Sequence, residues 1–494
     1  MMRTTLMTVV LLLATTGVTA QEPTRLTLEE AVALAMENNP DYRAQRNDEA
    51  VADWQVRSAY ADFLPTATVG GGLSYQSGGS SRIGGLTTGD IGIGETPAYY
   101  YSSYTARLSL NLTGSQFYQL GRQRASRRAV LASTDAAAQT LQANVTRQYL
   151  AVLRSRDAVE LARAELERAE ANLSLAEARR AVESATIIEV QQAEVERGRA
   201  QVSLLQARSA LDNQKTRLLQ LIGVELDRTV QLTSDVPVFE PTWQLESLTR
   251  TALASQPQLE AARASRESAE AGVGMARSAY WPSLNVSTGL SGYTRKVGSD
   301  QYLINQAERQ LSQNQQLCEM LKQLAGTNVD CEAQFPAELT PEQRAGILAQ
   351  NDQFPFDFTT EPLSVTLSVS LPIFQGFDRQ AQLETAHAAA DDAALRLRAE
   401  ELRIRADVET AYRDLRSAYE AVQLSGRNAE LAGNQLRLAQ ERYRVGSASF
   451  LELMEAEAVK ARADRDYLLS VYTFQESLTL LEAAVGQDLA TPQN

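Results

Sequence analysis

Two cysteines, one histidine and a broad scatter of carboxylates are the side chains of this chain that could do chemistry. Cys318 and Cys331 follow a stretch that reads as an export signal, so a local disulfide is the default reading in an oxidising compartment. Metal ligation is the alternative, although no further Cys or His stands beside them. His387 sits within Ala386 to Ala390 and reads as a helix-surface residue. With one histidine in 494 residues, neither a Ser-His-Asp arrangement nor a His-rich zinc centre can be assembled. The acidic residues are spread along helical faces, where solvation or ion pairing accounts for them. No phosphate-cradling glycine loop is present. Neither a cofactor nor a metal is expected, and an enzyme is the remote alternative. The formal charge of −14 also argues against nucleic acid, because phosphate binding needs a basic face.

The elements that would position any site begin with an export signal. Arg3, an apolar stretch from Leu6 to Ala14 and the small residues Val18-Thr19-Ala20 predict cleavage after Ala20, so residues 1–20 are set apart from the fold. Residue 21 is Gln rather than Cys, which gives no signal for amino-terminal lipidation. No later run of 18 or more apolar residues exists, so a membrane would be met through strands.

Internal repetition decides the expected architecture. Asn39-Pro40 leads to Pro65 as Gln256-Pro257 leads to Pro282, and each stretch reads as a helix opened by proline and followed by another. Val145 to Gly223 then matches Val408 to Gly486 without a gap, at a constant offset of 263 residues. The match pairs Tyr149 with Tyr412, Arg179 with Arg442, Ser184 with Ser447, and Gly223 with Gly486. Two repeats are therefore expected, 21–235 and 236–494, the second enlarged by an insertion at about 297–358. That insertion holds both cysteines and an amphipathic stretch from Leu303 to Leu324, and reads as a surface loop stapled by the disulfide.

Each repeat holds a long stretch rich in Ala, Leu, Arg, Glu and Gln, with neither Gly nor Pro from Arg122 to Arg197 or from Phe377 to Ser425. A helix from about Ser115 to Val182 would be roughly 100 Å long. Rods of that length belong to a coiled-coil assembly. Each repeat reverses at a tip, near Val182-Glu183-Ser184-Ala185 and near Val445-Gly446-Ser447-Ala448. The following Thr186 to Glu189 and Ser449 to Glu452 both spell a capping box. Before each long helix stand two runs of period two: Thr66 to Tyr75 with Tyr104 to Thr113, and Ser283 to Tyr293 with Leu363 to Leu371. Each is of the length that a tilted membrane strand needs, about 9 to 11 residues. Four strands cannot close around water, and an open edge in hydrocarbon leaves backbone groups unpaired, so strands would be shared between chains.

The order and duplication of these pieces resemble the TolC family of outer-membrane efflux proteins across nearly the whole chain after residue 20. The residues that carry the resemblance are Leu26-Thr27-Leu28-Glu29-Glu30-Ala31 with Asn39-Pro40, the repeat from Pro257 to Pro282, Leu371-Pro372-Ile373-Phe374-Gln375-Gly376, and Arg444-Val445-Gly446. The resemblance implies an α+β membrane fold: a homotrimer with a twelve-stranded β-barrel in the outer-membrane lipid, four strands per chain, continued by a periplasmic α-helical coiled-coil barrel. It implies a passive export duct of a tripartite efflux or type I secretion system. A periplasmic adaptor protein would dock at the tips, Val182 to Ala185 and Arg444 to Ala448, alongside an inner-membrane transporter. It also implies a periplasmic gate with Glu452 and Glu455 as an acidic ring and Tyr443 as a latch. Glu452 has the helix-capping role as its alternative, while Glu455 has none. A periplasmic coiled-coil adaptor is the rival reading, and it would not need four strands of membrane length.

Overall fold

The computed structural model describes residues 25–80, 82–87, 96–225, 231–234, 236–326, 328–336 and 338–489. The expected signal segment, 1–20, lies outside them. The chain runs β1 (Arg25–Leu26), α1 (Leu28–Asn38), α2 (Pro40–Ala61), β2 (Thr66–Gln76), a short hairpin of β3 (Arg82–Ile83) and β4 (Leu86–Thr87), β5 (Tyr99–Leu112), α3 (Gly114–Ala181), α4 (Ile187–Ile222) and β6 (Gln231–Leu232). It continues with α5 (Leu245–Ser255), α6 (Pro257–Ser278), β7 (Ser283–Val297), α7 (Asp300–Ala325), α8 (Cys331–Gln334), α9 (Pro341–Asn351), β8 (Thr359–Thr360), β9 (Ser364–Ser370), α10 (Asp378–Arg444) and α11 (Phe450–Val485). No helix among the described residues is long and apolar enough to cross a membrane. The residues form two compact units.

The first unit is made of the described residues within Met1–Val56, Arg122–Glu270 and His387–Asn494, and these are mainly helical. On α10 the buried apolar positions are Ile404, Val408, Ala411, Leu415, Ala418 and Val422, then Ala429, Ala432, Leu436, Ala439 and Tyr443. These steps of four and three make a 3.5-residue period, the seam that long helices need in order to stay in contact. Small alanines alternate with Leu, Val and Tyr along it, which lets neighbouring helices approach closely. Two aromatic hydroxyls fix strand-like segments against the long helices. Tyr149 donates to the Leu26 carbonyl at 2.9 Å, and Tyr412 donates to the Trp243 carbonyl at 3.1 Å. Each thereby escapes the cost of a phenol buried without a partner.

Helix ends in this unit are closed by equivalent devices. Asn39 caps α1, accepts from the Tyr42 backbone at 3.0 Å and donates to the Leu221 carbonyl at 2.8 Å. Gln256 caps α5 and donates to the Ala483 and Ala484 carbonyls at 3.0 and 3.1 Å. Gly223 and Gly486 terminate α4 and α11 with φ of 81° and 78°, a left-handed conformation that costs glycine nothing.

The second unit comprises Arg57–Gly121 and Ala271–Ala386 and is built on an antiparallel sheet. β5 pairs with β2 on one side and β7 on the other, and β7 pairs with β8 and β9 along its far side. The register gathers one apolar face: Val69 and Leu73 of β2, Ala106, Leu108 and Leu110 of β5, Val286 and Leu290 of β7, and Val365, Leu367 and Val369 of β9. The opposite face carries Thr, Ser, Asn, Gly and Arg107 for most of its length. A one-residue slip in any strand would have mixed the two faces.

Leu363 to Leu371 is expected to form one strand, and β9 covers it from Ser364 to Ser370; the two-residue β8 lies before that run, separated from it by Glu361-Pro362-Leu363. Proline has no N–H to give the ladder, so pairing stops there and resumes at Ser364. The reading of the insertion needs correction: it is more than a stapled loop, since it contains α7, α8 and α9. A disulfide joins Cys318 of α7 to Cys331 of α8, with Cα atoms 5.8 Å apart. The buried Asn351 at the end of α9 accepts from the Val297 backbone at 2.7 Å and donates to its carbonyl at 2.9 Å, which pins the insertion to the end of β7.

Candidate functional site

The residues expected at the gate and tips all lie in the helical unit, where α3 turns into α4 and α10 turns into α11. Both turns have the same backbone hydrogen bonds. Ser184 donates to Arg179 and Glu183 to Arg180 in the first; Ser447 donates to Arg442 and Gly446 to Tyr443 in the second. This double closure requires a left-handed residue just past each helix. Gly446 supplies it with φ of 76°, and Glu183 supplies it with φ of 56°. Glu183 therefore departs from glycine in type yet keeps the same backbone, at a steric cost of about 1 kcal/mol. Ser184, Val182, Arg444 and Val445 are exposed, while Ala185 and Ala448 are half-buried.

The helices that leave the tips start differently. Thr186 and Glu189 form the full reciprocal capping box of α4. At α11 only half of the expected box forms: Ser449 accepts from the Glu452 backbone at 3.2 Å, but the Glu452 carboxylate turns to Arg442 instead of the cap. The capping role read for Glu452 is thus carried by Ser449 alone. Glu455, one turn further along, is exposed and makes no ion pair among the described residues.

Tyr443 is buried, and its ring packs with Phe450 at 5.7 Å between centroids, in a cluster that includes Ala176, Ala193, Leu436, Leu453 and Ala456. Its hydroxyl donates to Glu189 at 3.1 Å, so Glu189 serves its own helix cap and the other hairpin at once. Burial first, and then this bond, push the Tyr443 hydroxyl above the ordinary tyrosine range, which keeps it a donor. The Arg179 guanidinium lies 4.3 Å from the centre of the Tyr443 ring and donates to the Tyr443 carbonyl at 2.8 Å. Arg442, the residue 263 positions later, pairs with Glu452. Both arginines also donate to the carbonyl of the serine in their own turn, Ser184 at 3.2 Å and Ser447 at 3.3 Å.

Sequence reasoning named Tyr443, Glu452 and Glu455 but missed their partners Arg179, Glu189 and Arg442 at this site. The identity of Arg179 with Arg442 across the repeat was a visible signal. Glu457 was missed altogether: its carboxylate accepts from Asn172 at 2.6 Å, and burial raises its pKa above the usual carboxylate range. The two residues are far apart in the chain, so no local pattern could have joined them. No group of side chains able to hold a metal ion occurs among the described residues.

A family model described as outer membrane efflux protein matches residues 31–224 and 342–487, well over half of the chain. The chain belongs to the outer membrane efflux protein family. As a member it is an outer-membrane efflux channel, a passive conduit and not an enzyme. Solved structures share the fold at low identity. The outer membrane channel CmeC of Campylobacter jejuni matches with a TM-score of 0.69 and 15% identity, over 94% of this chain and 87% of that one. The outer membrane protein VceC of Vibrio cholerae matches with a TM-score of 0.66 and 17% identity, over 93% and 96%. The MtrE outer membrane channel of Neisseria gonorrhoeae, solved in its open state, matches with a TM-score of 0.65 and 19% identity, over 94% and 89%. A search of curated proteins returns no match.

Proposed function

We infer that three copies of this chain pool their strands into a twelve-stranded barrel in the outer membrane, with the helical hairpins standing in the periplasm as the duct of a tripartite export system. The observation that carries this reading is the sheet. Its faces are sorted into apolar and polar along the strand path, and β2 and β9 each pair on one side only among the described residues. In hydrocarbon each unpaired backbone group costs several kcal/mol, so these edges must meet other edges. An even strand number closes such a barrel, and the polar face would then line water.

In this reading the two repeats, 21–235 and 236–494, contribute equivalent hairpins, and the export signal 1–20 delivers the chain. Glu452 and Glu455 form the gate's acidic ring, and Tyr443 latches the two tips of one chain through Glu189. The exposed tip residues Val182 to Ser184 and Arg444 to Ser447, with Ala185 and Ala448 behind them, receive the periplasmic adaptor, which links the duct to an inner-membrane transporter. Exposure of both turns, with their backbone bonds already satisfied internally, leaves the side chains available for docking.

The test is purification from the outer-membrane fraction, with mass measurement in detergent and recording in planar bilayers. A heat-modifiable trimer with channel activity is expected. A water-soluble monomer without conductance would refute the proposal. Crosslinkable residues placed at 183 and 446 should capture the cognate adaptor, and capture that survives bulky substitution of both tips would remove the docking assignment.

A further inference from the structure

The turn after α9 carries three phenylalanines within the run Phe354-Pro355-Phe356-Asp357-Phe358. Phe354 lies against Tyr100, with ring centroids 5.9 Å apart, and Phe358 meets Tyr104 edge-on at 5.0 Å. Tyr100 and Tyr104 alternate in β5 with the same phase as Ala106, Leu108 and Leu110. The turn therefore runs over the apolar face of the sheet. Phe356, between the two seated rings, is 81% exposed.

The turn is held at both ends. Before it, Asn351 is bonded to Val297, and Asp352 pairs with Lys296 at 3.0 Å. After it, the Thr359 hydroxyl donates to the Tyr293 carbonyl at 2.7 Å, and the Glu361 backbone donates to Ser291 at 3.0 Å. Inside it, the Asp357 backbone donates to Gln353 at 3.1 Å. A large apolar ring presented on a pinned turn has little ordering entropy left to lose on contact.

We propose that this aromatic turn is a membrane-interface anchor, in which Phe356 enters the boundary between headgroups and acyl chains at the outer rim of the barrel. The proposal rests on the barrel reading, in which the apolar sheet face meets lipid, and the height of the turn agrees with it. From the helix-proximal end of that face at Leu112, Tyr104 and Tyr100 lie about 27 and 41 Å along the strand at about 3.4 Å per residue. With a strand tilt of about 40°, these become about 21 and 31 Å along the membrane normal, on either side of the rim of an apolar band about 25 Å tall. The turn stands where aromatic rings are favoured, their apolar surface in lipid and the neighbouring Asp352, Asp357 and Lys296 in water.

Spin labelling tests this in the assembled protein, because the native cysteines are joined in a disulfide and only an introduced thiol reacts. Phe356→Cys is labelled with a nitroxide in vesicles of phosphatidylcholine and phosphatidylglycerol, and its collision rates with oxygen and with a water-soluble nickel chelate are compared. Leu367→Cys on the apolar face and Glu338→Cys on the insertion serve as references. Asp357→Cys places a second label on the same turn should the first variant fail to assemble. The expected oxygen-to-nickel ratio at Phe356 is severalfold above that at Glu338 and below that at Leu367. A ratio matching Glu338 overturns the anchor while a lipid-like Leu367 keeps the barrel. Low access to both reagents at Phe356 overturns it in favour of a contact with a neighbouring chain. A water-like ratio at Leu367 overturns the barrel reading itself.

Discussion

Removing one hydroxyl at the hairpin tips should change how often the duct opens. Tyr443→Phe keeps the ring in its cluster with Phe450 and beneath Arg179, and deletes only the bond to Glu189. A hydrogen bond to a charged partner is worth about 1.5–3 kcal/mol when well shielded. Glu189 is half-exposed, so about 1–1.5 kcal/mol is the appropriate figure. If opening separates the two tips, that energy stabilises the closed state alone, and its loss shifts the closed-to-open ratio by roughly five- to tenfold per chain. Single-channel recording in planar bilayers reads this ratio directly. Glu189→Gln, whose amide oxygen still accepts from the hydroxyl but without charge, should shift the ratio in the same direction by less, and the double variant should go little beyond Tyr443→Phe, because both act on the same bond. Open probability that stays within twofold of the parent, or single effects that add fully in the double variant, would refute the latch.

Three further outcomes follow from the tip geometry. Glu452→Ala combined with Glu455→Ala should raise conductance and weaken block by divalent cations, with Glu455→Ala supplying the larger share because Glu452 already pairs with Arg442; unchanged conductance and block would end the gate assignment. Glu183→Gly relieves a left-handed glutamate, a net gain of at most about 0.5 kcal/mol after the extra chain entropy of glycine is counted, and hydrogen exchange at Ser184 should slow slightly. Glu457 has a raised folded pKa, so the folded state holds its proton more tightly than the unfolded chain and this contribution to stability fades as pH rises through that folded pKa. Glu457→Gln, which imitates the protonated acid, should therefore raise the melting temperature at neutral pH and flatten its decline between mildly acidic and neutral conditions; an unaltered pH profile would contradict the assignment.

Much of the fold was legible because its signals are local. Proline placement marked α2 and α6, the absence of Gly and Pro marked the long helices, and alternation marked β2, β5 and β7 within a few residues. The S/T-x-x-E spelling located the starts of α4 and α11, since capping needs only groups one turn apart. The fourth run, Leu363 to Leu371, was legible in the same way as β9, whereas β8 was not, because two residues are too few for an alternation to show. The capping alternative for Glu452 rested on the same local logic and did not form, since a cap and an ion pair compete for one carboxylate and Arg442 lies across the turn.

By itself the sequence determined the type of each element, the places where the chain reverses, and the lack of catalytic machinery, all of which depend on residues near one another or on composition. Only the tertiary structure decided which side chains meet. Asn172 with Glu457, Arg179 with Tyr443, and Phe358 with Tyr104 are each joined across distant segments by packing and register. No periodicity along one segment records a partner in another, because that choice is made by the summed burial of whole helices and the pairing of whole strands.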